Sequence, residues 1–380
     1  MRTISGALQT AQDAVTNIPY IRFVLNSPTF TGGVPDVSYN YSSSTGRLRR
    51  VEHSEEAYND YATVILNNSD LAVVADLTGY WVEIGYGYDT DGAGTYASSP
   101  TSRLWVKSQM DFSAEGKLYT ALELGGVWDV LRETLIRVGD PPFYRKYEDP
   151  ETGNTYFTSP DGTTVYWLIN AVINELDDDN FDFGLVGLVG AMDGIIDSFS
   201  PKFEVNTISP FEDALALVRR LIEMTKCYLR LVADIPGETG DTQYVWFELV
   251  YPQDTDAYDA EYWSTQQHYF YEYMERTNLS IPNHIILFAN AGADGLWTDI
   301  ITVEAPLAED QPTDPQITKY RDVVEIHTAE LIDNPTDAQN RADAILARKQ
   351  AELLSGRLII RHDCRLELYD RVAIYDSRGT

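Results

Sequence analysis

Short apolar or β-branched runs, separated by breaks rich in Gly, Asn, Ser and Asp, fill the first third of the chain and predict strands. These runs lie at residues 21–25, 48–52, 61–66, 80–88 and 103–107. Their spacing is typical of an antiparallel barrel or sandwich. The Asp- and Gly-rich residues 89–94 follow a run that alternates with a period of two, and they predict the loop of a hairpin.

A short helix is predicted to close this unit. After a strand-like run at residues 117–124, apolar residues recur at helical spacing at Val127, Leu131, Leu135 and Val138. We therefore expect one helix that spans these four positions.

The middle of the chain mixes helix and strand signals. Residues 139–162 contain prolines, glycines and alternating charges, which predict an exposed connection or a loose hairpin. The pattern predicts a helix over 163–176, and the runs at 228–232 and 243–250 predict a further hairpin.

Two capping boxes mark the predicted starts of further helices. The first runs from Ser209 to Glu212 with Pro at the first helical position, before an apolar face formed by Phe211, Leu215, Val218 and Ile222. The second runs from Thr336 to Gln339, and Gly356 is the residue that would end its helix.

Strand signals return in the last third of the chain. They lie at residues 283–289, 299–304, 322–327, 358–360, 366–368 and 372–375. The first two of these runs flank a Gly-containing turn and predict another hairpin.

These patterns predict a mainly β chain with an α+β insert, and 380 residues are too many for one compact core. We expect an N-terminal arm over 1–18, a first β-barrel domain over 19–138, and an α+β middle domain over 139–250. A second β-barrel-like domain follows over 251–380, with a helix at about 336–355.

The charge balance limits the possible functions. The chain has 59 Asp and Glu against 28 Lys and Arg, a net charge of −31, which repels phosphate backbones and argues against nucleic-acid binding. Because apolar stretches are short, we expect neither a membrane span nor a secretion signal, and we expect synthesis in a cytoplasm.

Cys227 and Cys364 lie far apart without CxxC spacing, which favours buried free thiols over a disulfide or a structural zinc.

Two acidic segments are candidates for Ca²⁺ binding. The acids of the first are Glu175, Asp177, Asp178, Asp179 and Asp182. That segment departs from the EF-hand pattern, since Phe183 and Val189 stand where Gly and the last ligand are needed. Asp89 and Asp91 have the form of a calcium turn, but turns also select Asp and Gly for backbone reasons. We favour the interpretation that both segments are solvated loops, and the sequence leaves metal binding as an alternative.

The pattern of residues contains no catalytic constellation. The five His form no HxH or HxxxH cluster, and no Ser lies within GxSxG. The Gly-containing residues 184–190 lack the Lys-Ser/Thr of a phosphate-binding loop, which favours a packing turn. A glycosidase carboxylate pair is conceivable among so many acids, but spacing along the chain does not identify one. We expect no catalytic residue and no cofactor.

Aromatic side chains are dense over residues 258–273, which include Trp263. Such a segment could stack sugars, and it supports a carbohydrate-binding alternative. Aromatic density in β domains more often serves a core or an interface, which we favour here.

Segments at both ends of the chain resemble one protein family. Residues 47–56, 63–70, 77–88 and 104–107 resemble the opening barrel of tail-tip or baseplate hub proteins of long-tailed phages. Residues 337–348, Ser355-Gly356 and residues 366–376 resemble the helix and following strands of the second barrel in the same family. The middle of the chain is diverged.

The resemblance implies a non-enzymatic virion protein at the distal end of the tail. Such a hub is a homotrimer in which each subunit contributes two similar barrels, so a sixfold tube can meet a threefold tip around the DNA exit path. The implied partners are tail tube and distal tail proteins and tip, spike or fibre proteins, with the tape measure protein as a further candidate. The alternatives are a carbohydrate-binding receptor module and a cell-wall-degrading enzyme of the tail tip.

Overall fold

The computed structural model describes residues 1–376 except 29–35, 43–45, 138–146, 149–154, 157–163, 175, 177–181, 187–193, 197, 200–210, 233–243, 254–255, 265–269, 278–281, 291–299, 307–322, 330–331, 333–334 and 352–353. This described part contains 23 strands and five helices, and it confirms the predicted mainly β class.

Nine strands near the N-terminus form one antiparallel sheet. They are β1 (Pro19–Asn26), β2 (Val37–Ser38), β3 (Tyr41–Ser42), β4 (Leu48–Glu56), β5 (Asn59–Asn67), β6 (Trp81–Asp89), β7 (Tyr96–Pro100), β8 (Leu104–Ala114) and β9 (Lys117–Gly126). Their order is β2-β1-β6-β8-β9-β5-β4, with β3 also paired to β1 and β7 to β6. The predicted strands and the hairpin that joins β6 to β7 are confirmed.

This sheet curls around its own apolar core. In β5, Ala62, Val64 and Leu66 alternate with more exposed residues, so they share one buried face. They belong to one cluster with buried side chains of β1, β6, β8 and β9. The order ends at β2 and β4, which do not pair with each other in the described residues. The unit therefore wraps a core as a barrel does, but its hydrogen bonding does not close.

The predicted arm contains helix α1 (Gly6–Asp13), capped by the Ser5 hydroxyl, which accepts a hydrogen bond from the Leu8 amide at 3.2 Å. Leu8 is buried against Tyr88 of β6 and Cys364 near the C-terminus. The N-terminal segment thus packs against both the first sheet and the C-terminal region. Cys364 and Cys227 are both buried and neither forms a disulfide, as predicted.

The helix predicted over 127–138 is too long. Helix α2 (Val127–Glu133) ends where Thr134 turns to an extended conformation and donates its hydroxyl hydrogen bond to the Val130 carbonyl. The next residues form β10 (Leu135–Arg137), which pairs with β14 (Phe211–Asp213). Tertiary strand pairing thus overrides the apolar period at Leu135, and Val138 lies outside the described residues.

The middle region packs two helices on a small sheet. The elements are α3 (Val165–Asn174), α4 (Ala214–Ile222), β13 (Asp182–Leu185), β15 (Tyr228–Val232) and β16 (Tyr244–Val250). The predicted helix α3 and the predicted antiparallel pair β15–β16 are confirmed, and β13 joins β16 in parallel. A two-residue ladder, β11 (Tyr147–Glu148) with β12 (Thr155–Tyr156), agrees with the predicted loose hairpin.

The start of α4 differs from the prediction. Its N-cap is Asp213, whose carboxylate accepts a hydrogen bond from the Ala216 amide at 2.8 Å. Phe211 and Glu212, which the capping-box interpretation placed inside the helix, belong to the strand β14. Ser209 lies outside the described residues. Asp is as good an N-cap as Ser, and pairing with β10 decides between the two positions.

Among the described residues, the C-terminal strands form three small sheets and no closed barrel. The predicted second β-barrel-like domain over 251–380 stays a prediction. The strands are β17 (Ala260–Trp263), β18 (Glu272–Thr277), β19 (His284–Asn290), β20 (Ile300–Pro306), β21 (Val324–Ala329), β22 (Leu354–Ile359) and β23 (Val372–Tyr375). The pairs β17–β23 and β18–β22 stand separately, and the third sheet has the order β20-β19-β21. The predicted hairpin of β19 and β20 is confirmed.

Helix α5 (Pro335–Ala351) packs on β19 and β20 through small residues such as Ala338 and Ala342. It begins at Pro335, so Thr336 lies inside it and is not its cap. Gly356 does not end the helix, because it lies in β22 opposite Glu275. Residues 366–368, predicted as a strand, form an irregular and turn segment.

The largest core joins distant segments. Trp128 of α2, Ile169 of α3, Val218 of α4, Phe247 of β16 and Ala342 of α5 belong to one buried cluster. The division of the chain at 139 and 251 stays a prediction. Among the described residues, no helix combines the length and apolar character that a membrane crossing requires.

Candidate functional site

A groove of about 840 Å³ lies between the first sheet and the C-terminal segment. Residues 51–55 of β4 line one side, and residues 358–363 and 366–368 line the other. Tyr61 of β5, Tyr86 of β6 and Arg2 complete much of its wall. The groove thus brings together the two regions whose sequences carried the family resemblance.

A chain of polar contacts runs along the sheet side of the groove. The Ser102 hydroxyl donates to Asp60, and the other Asp60 oxygen lies 2.8 Å from Nε2 of His53. Nδ1 of His53 lies 3.3 Å from the Tyr86 hydroxyl, and the Tyr86 ring packs on His362 with centroids 4.4 Å apart. The side chains of His53 and Asp60 are only 5% and 3% exposed, so these contacts are shielded from water.

This arrangement differs from that of an activated nucleophile. Asp60 stands between Ser102 and His53, whereas a nucleophilic Ser needs the imidazole as its direct hydrogen-bond partner. With Nε2–H donated to Asp60, Nδ1 is free to accept from Tyr86. Burial raises the pKa of Tyr86, which keeps its hydroxyl protonated as a donor. The contacts connect β4 and β5 to β6, which neighbours neither of them in the strand order.

A second polar cluster joins the N-terminus to the C-terminal turn. The carboxylate of Glu367 lies 3.6 Å from both Arg2 and Arg230 and 3.4 Å from the Met1 ammonium group. Arg230 and Met1 also each lie 3.0 Å from Asp370. Burial raises the pKa of Glu367, and the nearby cations only partly offset that effect.

Asp363 anchors three segments at the end of the groove. Its carboxylate accepts hydrogen bonds from Gln12 of α1 at 2.8 Å, Tyr262 of β17 at 2.8 Å and Arg365 at 2.7 Å. Burial alone would raise its pKa, but the hydrogen bonds from Arg365 and Tyr262 outweigh burial and hold the pKa well below its usual range. The groove's polar groups are therefore used to hold chain segments together.

The predicted calcium turn is built from its own hydrogen bonds. Asp89 accepts from the amides of Gly92 and Gly94 at 2.9 and 3.2 Å, and Asp91 accepts from the amides of Ala93 and Thr95 at 2.8 and 3.1 Å. The Thr95 hydroxyl hydrogen bond is the main reason that the pKa of Asp91 is lowered. These contacts agree with the backbone interpretation of the turn.

The other sequence candidates do not converge. In the acidic loop, Glu175 and residues 177–179 lie outside the described residues. Among the residues that the structure does describe, no group of three or more His, Cys, Asp or Glu side chains could hold a metal ion. Gly184 lies in β13, where an added Cβ would meet the Trp246 ring at 2.3 Å, so its role is close packing. His284 and His327 contact Glu304 and Glu325, and His268 lies outside the described residues.

The aromatic segment 258–273 is mostly used inside the fold. Tyr262 is 1% exposed, Trp263 stacks on Tyr375 with centroids 3.8 Å apart, and Tyr258 lies under the guanidinium of Arg371. Tyr271 alone of the described aromatics in this segment is more than half exposed, at 75%. These contacts agree with the core and interface interpretation.

The sequence patterns did not single out the residues that line the groove. Arg2 belongs to no motif, nor does Asp60, which contacts His53, and His53, Tyr86 and Glu367 were marked only as parts of the segments 47–56, 77–88 and 366–376. Their contacts form between residues that lie far apart in the chain.

Comparisons with known proteins identify the fold. The tail protein from Neisseria meningitidis MC58 matches with a TM-score of 0.57 at 9% identity, over 94% of this chain and 86% of that chain. This chain has the fold of a phage tail protein. The 43 kDa tail protein of prophage MuSo2 from Shewanella oneidensis gives a TM-score of 0.52 at 10% identity, over 94% of this chain and 89% of its own. No family model and no curated protein sequence matches the chain.

Proposed function

We propose that this chain is a structural protein of a phage-like tail and forms the trimeric hub at the distal end of the tail. The observation that carries the proposal is the fold match over 94% of the chain to two different tail proteins. The match takes in both the curled N-terminal sheet and the C-terminal sheets, so it is a likeness of the whole chain.

The contacts in the groove support a structural role. Asp363, Glu367 and Asp60 each hold two or more chain segments in place through hydrogen bonds and ion pairs. Buried polar groups that are fully engaged in this way rigidify a unique arrangement. A hub that transmits load between tail parts needs such rigidity between its N-terminal and C-terminal regions.

Symmetry gives the reason for two β-rich ends in one chain. Three copies present six β-rich units, which can meet a sixfold tube, while the trimer itself meets a threefold tip. Three copies also carry three times the charge of −31. A strongly negative passage lets DNA move through without adhering to the wall.

Exposed apolar side chains provide surface for such contacts. On the edge strand β21, Val324 and Ile326 are 44% and 63% exposed, and Met274 of β18 and Trp167 of α3 are 54% and 59% exposed. Obligate interfaces bury on the order of 2,000 Å² or more and are rich in apolar contacts. In the assembled tail we expect these side chains to be covered.

Two measurements test the proposal. Light scattering on the purified chain should give three times its mass of 42.8 kDa. Because some assemblies form only with their partners, antibody labelling of purified particles in the electron microscope provides an independent test, with label expected at the free end of the tail. Label along the tail shaft or on the capsid would overturn the proposal, whatever the mass of the isolated chain.

A further inference from the structure

We propose that the N-terminal arm, residues 1–14, is a strap that holds the first sheet and the C-terminal segment together and that opens as a unit while the rest of the chain stays folded. This inference concerns a movement within one chain and does not depend on the trimeric hub. It rests on the contacts of the arm with both walls of the groove, on the separate core that the arm buries, and on the exposed link that follows it.

Arg2 joins the arm to both walls of the groove. One of its Nη atoms donates to both carboxylate oxygens of Glu55 in β4 at 3.1 Å. Its Nε lies 3.6 Å from Glu367 in the opposite wall, and its main-chain amide donates to the Arg365 carbonyl at 2.8 Å. Release of the arm therefore removes a cation that the two walls share.

Gln12, near the end of α1, is joined to the C-terminal segment by hydrogen bonds in both directions. Its amide nitrogen donates to Asp363 at 2.8 Å, and its amide oxygen accepts from the Cys364 amide at 2.8 Å. Arg361 donates to the main-chain carbonyls of Gln12 and Ala14 at 2.8 and 3.2 Å. Because Gln12 is buried, its side-chain bonds are shielded from water and hold the arm closed.

The arm buries a small core of its own. Leu8 and Ala11 of α1 pack with Tyr88 of β6 and with Cys364, and these four side chains form a buried cluster distinct from the two larger cores. Cooperative units of this kind open locally at a lower free energy than the whole fold. Opening of the arm exposes this cluster and leaves the larger cores intact.

The link between the arm and β1 is suited to act as a hinge. Helix α1 ends at Asp13, and residues 14–18 form neither helix nor strand before β1 begins. The side chains of Val15 and Ile18 are exposed, so they anchor the link only weakly. A helix of eight residues is unstable by itself, so α1 depends on its docked contacts and should unfold when the arm opens.

The two thiols of the chain report on the opening. Cys364 is buried against α1, whereas Cys227 is buried in the largest core. Burial raises the pKa of Cys364 to about 12, so its thiol is protonated and unreactive while the arm is docked. Under native conditions we expect iodoacetamide to modify Cys364 at least about tenfold faster than Cys227, since local opening requires less free energy than global unfolding. Peptide mass spectrometry measures the two rates separately.

A graded set of variants tests whether the arm controls this reaction. Leu8→Ala truncates a buried side chain of the arm and should speed modification of Cys364 by about 30-fold or more. Ser5→Ala removes the N-cap of α1 and should speed it by about fivefold. Val15→Ala, the control, shortens an exposed side chain of the link and should leave the rate unchanged. The rate at Cys227 should stay the same in all three variants.

Two results would overturn the proposal. If Leu8→Ala speeds modification of Cys364 and Cys227 by the same factor, the arm opens only when the whole chain unfolds. If the rate at Cys364 does not respond to the loss of the Ser5 cap, the docking of α1 does not control access to that thiol. The second comparison uses a mild change near the surface, so it decides the matter even where Leu8→Ala prevents folding.

Discussion

Arg348 of α5 donates a hydrogen bond of 2.9 Å to the carbonyl oxygen of Ile222, the last residue of α4. It also donates to the carbonyls of Thr225 at 3.0 Å and Cys227. The guanidinium therefore supplies donors to carbonyls at the C-terminal end of a helix more than a hundred residues away in sequence. A cation at this end also complements the helix dipole.

Replacing Arg348 should destabilise the fold. Arg348→Met keeps the aliphatic stem but removes this donor from all three carbonyls, of which that of Ile222 keeps the hydrogen bonds from the Thr225 amide and hydroxyl. We expect the free energy of unfolding to fall by about 2–3 kcal/mol. The neighbouring Lys349, whose ion pair with Glu325 is partly exposed, is the matched control. Lys349→Met should change stability by less than about 0.5 kcal/mol. Urea denaturation followed by circular dichroism measures both, and equal effects would show that the cap has no special role.

Loss of the Asp60 carboxylate should lower the free energy of unfolding more than loss of the Tyr86 hydroxyl, which lies at the other end of the same chain of contacts. Asp60→Asn replaces the carboxylate that accepts from both Ser102 and His53 with a neutral amide that has only one acceptor oxygen. We expect a loss of about 2 kcal/mol in the free energy of unfolding. Tyr86→Phe removes only the 3.3 Å contact to His53 and should cost about 1 kcal/mol or less. Thermal unfolding of both variants checks this order, and a larger effect of Tyr86→Phe would contradict it.

Asp363 should stabilise the fold above acidic pH. Its pKa is lowered in the folded chain, so its stabilisation is complete above the unfolded-state pKa of about 3.9 and is lost as the pH falls towards the lower folded-state pKa. Asp363→Asn should therefore lose most stability near neutral pH, by about 3 kcal/mol, and approach the natural chain in acid. Unfolding free energies measured between pH 3 and 7 test this, and a difference independent of pH would be the contrary result.

Glu367 should show the opposite dependence on pH. Its pKa is raised in the folded chain, so its contribution is complete below the unfolded-state pKa of about 4.3 and is lost as the pH rises through the folded-state pKa. The stability of Glu367→Gln relative to the natural chain should therefore improve as the pH rises above about 4.3. The same pH series serves both variants, and each is the control for the other.

Sequence patterns predicted the elements whose signals are local. The alternation along β5 and β6 identified strands because a half-buried strand places every second residue in the core. The same reasoning extended α2 to Val138, although the chain leaves the helix at Thr134 to pair β10 with β14. It also chose Ser209 as the cap of α4 where Asp213 serves. Both differences arise at a strand pairing that joins segments far apart in sequence.

The sequence by itself determined the mainly β class, the acidic surface charge, the free thiols and most individual strands and helices, because propensity, periodicity and composition act over a few residues. Only the tertiary structure decided that Tyr86 and His362 meet across one groove, that β4 pairs with β5 alone among the described strands, and that Asp363 joins α1 to β17. Those features depend on which distant surfaces pack together. That choice is made by the burial of the whole chain, and no short segment encodes it.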